Sequence, residues 1–133
     1  LLAGPHGPAF VRRVFGPEEQ AALELTLPLP SGRAGQRLAG RAAANFAAKE
    51  AFLKAAGTGL SGPFALWEIQ ALRLPSGQPE YQFCGGSAQW MAQHQLQARL
   101  SLSHDGGMAL AFCTLEPCGE TCPAPPHTIK GNI

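Results

Sequence analysis

The chain has 133 residues, 45% of them hydrophobic, which suits one compact domain burying roughly two-thirds of the surface its unfolded chain would expose. Ten basic residues against nine acidic leave a net charge of +1, so no global field draws the chain to nucleic acid or an anionic membrane, and any anion site has to be local. A run of about 18 apolar residues is absent, so no spanning helix is expected, and the opening Leu1-Leu2-Ala3-Gly4-Pro5 has neither the basic nor the apolar region of a signal peptide.

Residues 1–9 are rich in glycine and proline and are expected to be irregular, followed by a short apolar-basic stretch, Phe10–Phe15. Gly16-Pro17-Glu18-Glu19 reads as a helix start, with proline in the first turn and acids at the positive end of the dipole; that helix should run to about Leu25. From about Ala34 to Ala56 there is no proline, and Ala44, Ala48, Ala51 and Ala55 recur at helical spacing, a stripe on which a sheet can pack closely. With Phe46, Phe52 and Leu53 on other faces, this should be a buried central helix, stopped by Gly57-Thr58-Gly59.

Beyond it the period changes. Phe64–Leu74 reads as a strand, Pro75–Pro79 as a turn and Glu80–Cys84 as the return strand. Ser87 is expected to cap a short helix reaching His94. Gln95–Ser103 alternates, with Leu96, Ala98, Leu100 and Leu102 on one face, and His104-Asp105-Gly106-Gly107 turns it back into the apolar Met108–Leu115. The order of elements predicts an α+β domain, an antiparallel sheet packed around a long central helix. Cys84, Cys113, Cys118 and Cys122, with His127, invite a zinc reading, but their spacing matches no common zinc pattern, so reduced thiols in a strand end and a tail are expected.

Lys49, Glu50 and Lys54 interrupt the long helix. Glu50 and Lys54 are four apart and share a face, whereas Lys49 projects about 100° away from Glu50. By themselves they read as a solvated edge with one ion pair, and His104 reads as an ordinary turn histidine or a polar group at a sheet rim.

In the ordered context they read differently. Phe46-Ala47-Ala48-Lys49-Glu50-Ala51-Phe52-Leu53-Lys54, then Gly57-Thr58-Gly59, Ser76-Gly77-Gln78-Pro79 and Ser101-Leu102-Ser103-His104 resemble, in order and spacing, the 4'-phosphopantetheinyl transferases of the small holo-acyl-carrier-protein synthase type. Phe10–Glu19 resembles the segment that enters that family's second helix. Two departures stand out. The family opens with a strand bearing a Gly-x-Asp motif whose Asp binds magnesium, while the first acidic residue here is Glu18; and Asn45 stands where an arginine is usual, with Arg41 one turn earlier as a partial replacement.

The resemblance implies transfer of phosphopantetheine from coenzyme A to a serine of an acyl carrier protein, with Mg²⁺, giving 3',5'-ADP. It implies Glu50 and Lys54 as catalytic residues, with Glu50 also the metal ligand. Lys49, Lys54, Gly57, Ser103 and His104 are implied as coenzyme A contacts, with a structural role the alternative for Lys49. Arg12, Arg13 and Arg37 are candidate carrier-protein contacts by charge complementarity. A cytoplasmic homotrimer with sites between protomers is implied, without nucleic-acid or membrane partners. Residues 10–116 form the expected transferase domain, N-terminally incomplete, between an irregular segment, 1–9, and a tail, 117–133. The competing expectation is a degenerate domain that binds carrier protein or coenzyme A without transfer.

Overall fold

The computed structural model describes residues 6–59, 62–105 and 107–119. Three helices open the chain: α1 (Gly7–Val14), α2 (Pro17–Leu23) and α3 (Gly32–Ala56). A single 3-10 turn (Leu66–Glu68) leads into β1 (Ile69–Arg73) and β2 (Pro79–Phe83), then α4 (Gly85–Gln93), β3 (Leu96–Asp105) and β4 (Met108–Pro117). The α+β reading stands. The strands form two antiparallel hairpins, β1–β2 and β3–β4; β2 lies beside β3 without joining its ladder.

Helix α1 corrects the irregular reading of residues 7–9. Pro8 sits in the first turn, where its missing N–H costs nothing, and Val11 and Val14 turn one face inward while Arg12 and Arg13 stay exposed. Val11, Val14 and Phe15 cluster with Leu23 of α2 and Ala42 of α3, forming one half of the core. The other half is built on Phe52 of α3, which is fully buried and ringed by Phe64, Tyr81, Phe83 and Trp90, with centroids 4.9–6.1 Å away. The Tyr81 hydroxyl ties β2 to α3 by donating to the Ala48 carbonyl at 2.6 Å.

Helix α3 has the predicted length and ends as expected. Gly57 takes φ 78°, where a Cβ would be strained, and its N–H reaches the Leu53 and Lys54 carbonyls. The alanine stripe is buried only in part: Ala44 and Ala48 are inside, Ala51 is half-buried and Ala55 exposed. Leu38, Ala42, Asn45, Lys49, Phe52 and Leu53 define the inward face, and the stripe lies on its flank.

Elsewhere the differences are local. The strand expected from Phe64 starts only at Ile69, because the Glu68 carboxylate accepts the Ala65 N–H at 3.1 Å and closes a turn first. The other carboxylate oxygen of Glu68 accepts the Gly86 N–H at 3.2 Å, so the start of α4 is satisfied from another element. Ser87 therefore is not the cap. It lies buried inside the first turn, its hydroxyl against the Glu68 and Cys84 carbonyls. In the second hairpin Asp105 pairs with Met108, and Gly107, at φ 78°, takes the turn.

Candidate active site

Lys49 sits at the centre of α3's inward face and is fully buried. Its ammonium meets the Glu19 carboxylate at 2.5 Å, the Ile69 carbonyl at 2.5 Å and the Leu66 carbonyl at 3.2 Å, which satisfies its three donors. Glu19 is equally buried and equally satisfied. One oxygen takes the Gly16 N–H and Lys49; the other takes the Asn45 amide at 3.0 Å and the Ala71 N–H at 3.1 Å. Burial pushes Glu19 above the usual carboxylate range and Lys49 below the usual lysine range, each opposed by the attraction of the other. Of the two roles open to Lys49, contact with nucleotide phosphates is corrected: an ammonium with no exposed surface, held by three acceptors, joins α2, α3 and β1 instead.

Glu19 is the residue that sequence reasoning missed. It reads as one of two first-turn acids, yet a lysine in the middle of an apolar helix face demands a buried carboxylate partner. That demand was the available signal.

With Phe52 and Lys49 inside, Glu50 is forced out: two residues short of Phe52, it lies roughly 160° away round the helix. Glu50 and Lys54 are both exposed on this outer face. They do not form the ion pair expected of a solvated edge, and among the described residues neither carboxylate nor ammonium has a hydrogen-bond partner. An acid and an ammonium are thus presented together and uncommitted. Gly57, exposed, caps the helix just beyond Lys54.

Ser103 and His104 lie elsewhere. The tip of the second hairpin meets α3 at Gly40, where an added Cβ would come 3.0 Å from His104 Nε2. There Ser103 and His104 line a cleft of about 330 Å³ with Gly40, Arg41, Arg73, Gly77 and Pro79. A wider groove of about 840 Å³ continues past His104 along Arg33, Gln36 and Arg37. Ten residues of helix separate Gly40 from Glu50, roughly 15 Å along the axis, and Lys54 is a further turn away. One copy of the chain therefore does not bring His104 and Ser103 to the Glu50 face.

Asn45, in place of an arginine, joins the buried network, and its Oδ1 accepts a hydrogen bond from Arg73 at 3.1 Å. Arg41, the expected replacement, instead donates to the Ala22 carbonyl at the end of α2. Cys84 and Cys113 are free, half-buried thiols whose pKa burial raises, so neither is an activated thiolate. Cys118 is disulfide-bonded, which corrects the reading of reduced thiols at that position. Cys122 and His127 lie outside the described residues, among which no cluster of His, Cys, Asp or Glu is suited to a metal.

Comparison with known proteins agrees with the motifs. The holo-[acyl-carrier-protein] synthase of Leptothrix cholodnii is 37% identical over 113 residues, 85% of this chain and 83% of that protein. That of Ralstonia nicotianae is 36% identical over 116 residues, 87% and 80% of the two chains. The crystal structure of the Neisseria meningitidis synthase superposes with a TM-score of 0.65 at 32% identity, covering 83% of this chain and 82% of that one. The Chronobacterium ammoniagenes enzyme in complex with coenzyme A gives 0.66 at 29% identity, covering 89% and 87%. The sequence profile of the 4'-phosphopantetheinyl transferase superfamily matches residues 2–113, most of the chain, and the chain belongs to that family.

Proposed function

We propose that the chain transfers the 4'-phosphopantetheine group of coenzyme A to a serine of an apo-acyl carrier protein and releases 3',5'-ADP. The observation that carries this reading is the uncommitted Glu50–Lys54 pair on the outer face of α3, fixed in rotation by Lys49 and Phe52 on the inner face. The serine oxygen forms a bond to the β-phosphorus, the bond from that phosphorus to the bridging oxygen breaks, and 3',5'-ADP departs. Glu50 takes the serine proton, directly or through a water. Lys54 holds a phosphate oxygen as a compact point charge. Little else is asked of the protein in phosphoryl transfer beyond positioning and charge neutralisation.

Glu50 fits Mg²⁺, a hard cation that takes one or two carboxylates and completes its shell with substrate phosphates and water. Bound there, it would neutralise charge on the transferring phosphate. Gly57 would border this end of the site.

Ser103 and His104 are the proposed contacts for the far end of coenzyme A. Their distance from Glu50 within one chain supports a site shared between two copies, as the proposed homotrimer would provide. A second feature supports assembly: Met108, Leu110 and Phe112 project from β4 at 64–69% exposure, an apolar stripe opposite Ser101 and Ser103 in the register. Phe112→Glu is expected to leave the fold intact and shift the protein to a smaller species in sedimentation equilibrium; an unchanged mass would exclude this face as the interface.

Arg12, Arg13 and Arg37, all exposed, are proposed to meet the acidic carrier protein. A cytoplasmic place is proposed from the family resemblance; no helix of the described residues is long and apolar enough to cross a membrane. The transferase unit is proposed to occupy residues 10–116, extended at its start by the first turn of α1, with a tail beyond.

The test is to mix the chain with coenzyme A, Mg²⁺ and apo-acyl carrier protein and follow the carrier by intact mass. Gain of one phosphopantetheine is the expected result. A folded chain that binds coenzyme A and never modifies the carrier would establish a binding domain instead.

A further inference from the structure

The cleft between α3 and the two hairpin tips gathers basic side chains, Arg41, Arg73 and His104. Arg73 ends β1, opposite Pro79 in the register, and this puts its guanidinium over α3 at Asn45. The Asn45 amide spends both its N–H groups inward, on Glu19 and on the Ala71 carbonyl, at 3.0 Å each. Only its Oδ1 faces outward, and there it accepts from Arg73 at 3.1 Å. Asn45 is fully fixed by these bonds, so the guanidinium is anchored through one of its five N–H donors while the others stay available.

Arg41 lines the same cleft and is anchored in the same way, through one nitrogen on the Ala22 carbonyl. Ser103 and His104 close it from the second hairpin, and among the described residues no carboxylate lines it. Neither arginine is in an ion pair with a described residue. Partial burial and then the neighbouring Arg41 hold Arg73 below the usual arginine range, with Glu19 pulling the other way. Two like charges gathered beside a desolvating wall are unfavourable in the empty protein and become favourable when an anion lies between them. A guanidinium presents its donors as a planar fork that matches two oxygens of a phosphate.

We propose that Arg73, positioned by Asn45, contacts a phosphate group at the nucleotide end of coenzyme A in this cleft. The proposal rests on the transferase reading above. It makes Arg73 a determinant of nucleotide affinity, set by the end of a strand rather than by the α3 motif, with Arg41, Ser103 and His104 around the same anion.

Titration calorimetry of the 133-residue chain with 3',5'-ADP tests it. Arg73→Gln is expected to weaken binding by about tenfold or more, the loss of a charge-assisted fork. Arg73→Lys should fall between, since it keeps the charge and loses the fork. Asn45→Ala should weaken binding when Arg73 is present and add nothing in the Arg73→Gln background, a coupling that a merely structural role for Asn45 would not produce. Arg99→Gln, which removes the same charge from the exposed pair with Glu116, should bind as the parent does. Parent-like binding by a folded Arg73→Gln chain would overturn the proposal and leave the transferase reading standing, as would an equal loss in Arg99→Gln. A parent chain that does not bind 3',5'-ADP would overturn both.

Discussion

Glu50→Gln is expected to lower the rate of carrier modification by about 10²- to 10⁴-fold, the range that a positioned proton acceptor contributes. The substitution keeps the size and removes both the negative charge and the basicity. Glu50 is exposed and makes no hydrogen bond with a described residue, so the melting temperature should stay nearly where it was, within about 0.5 kcal/mol of stability. That separation of rate from stability is the useful readout. It would be followed by intact-mass kinetics at saturating coenzyme A, with the melting curve recorded on the same samples. Lys54→Met should mainly raise the KM for coenzyme A, because a point charge on a phosphate acts in the ground state as well as in the transition state. Retention of the parent rate in a folded Glu50→Gln chain would remove Glu50 from the chemistry.

Much of this arrangement is legible in the sequence because periodicity and local chemistry act over short spans. The proline-free stretch, the Gly57 stop and the alternation of Leu96, Ala98, Leu100 and Leu102 each specify an element without outside help. So does the adjacency of Lys49 and Glu50, which forces them onto different faces once the helix is accepted. What was not legible depends on contacts distant along the chain. Whether Lys49 or Glu50 faced inward could not be decided without Glu19, thirty residues earlier, and Glu19 looked like a dipole-favoured acid. Ser87 looked like a cap until Glu68, eighteen residues before Gly86, supplied the acceptor. The same holds for the site: His104 and Glu50 belong to one set of motifs, yet antiparallel packing of β3 along α3 places His104 beside Gly40, well down the helix from Glu50. Motif order in a sequence carries no statement about that distance.

The buried pair is where the largest stability effect is expected. Lys49→Met leaves the Glu19 carboxylate without its cation in a site of no exposure, a change that costs about 3–5 kcal/mol in comparable buried pairs. For a chain of this length that lowers the melting temperature by roughly 10–20 °C. In comparable buried pairs a well-packed apolar double replacement, here Glu19→Leu with Lys49→Met, is often neutral or stabilising. In this chain it should restore only part of the lost stability, because Glu19 also accepts from Gly16, Ala71 and Asn45, and those donors would be orphaned. The single variant should also acquire a pH dependence whose sign is fixed. Lys49 supplies the strongest pulls that lower the Glu19 pKa; without them burial acts against weaker opposition and the folded-state pKa climbs further above 4.5. A carboxyl with a raised folded-state pKa binds a proton in the folded chain that the unfolded chain releases, so its stability contribution is present at low pH and lost as pH rises through that value. Lys49→Met should therefore come closest to the parent's melting temperature at the acid end of a pH series and fall progressively further below it as the pH rises. A deficit that stays constant across that range would mean that Glu19 is not the buried acid that Lys49 neutralises.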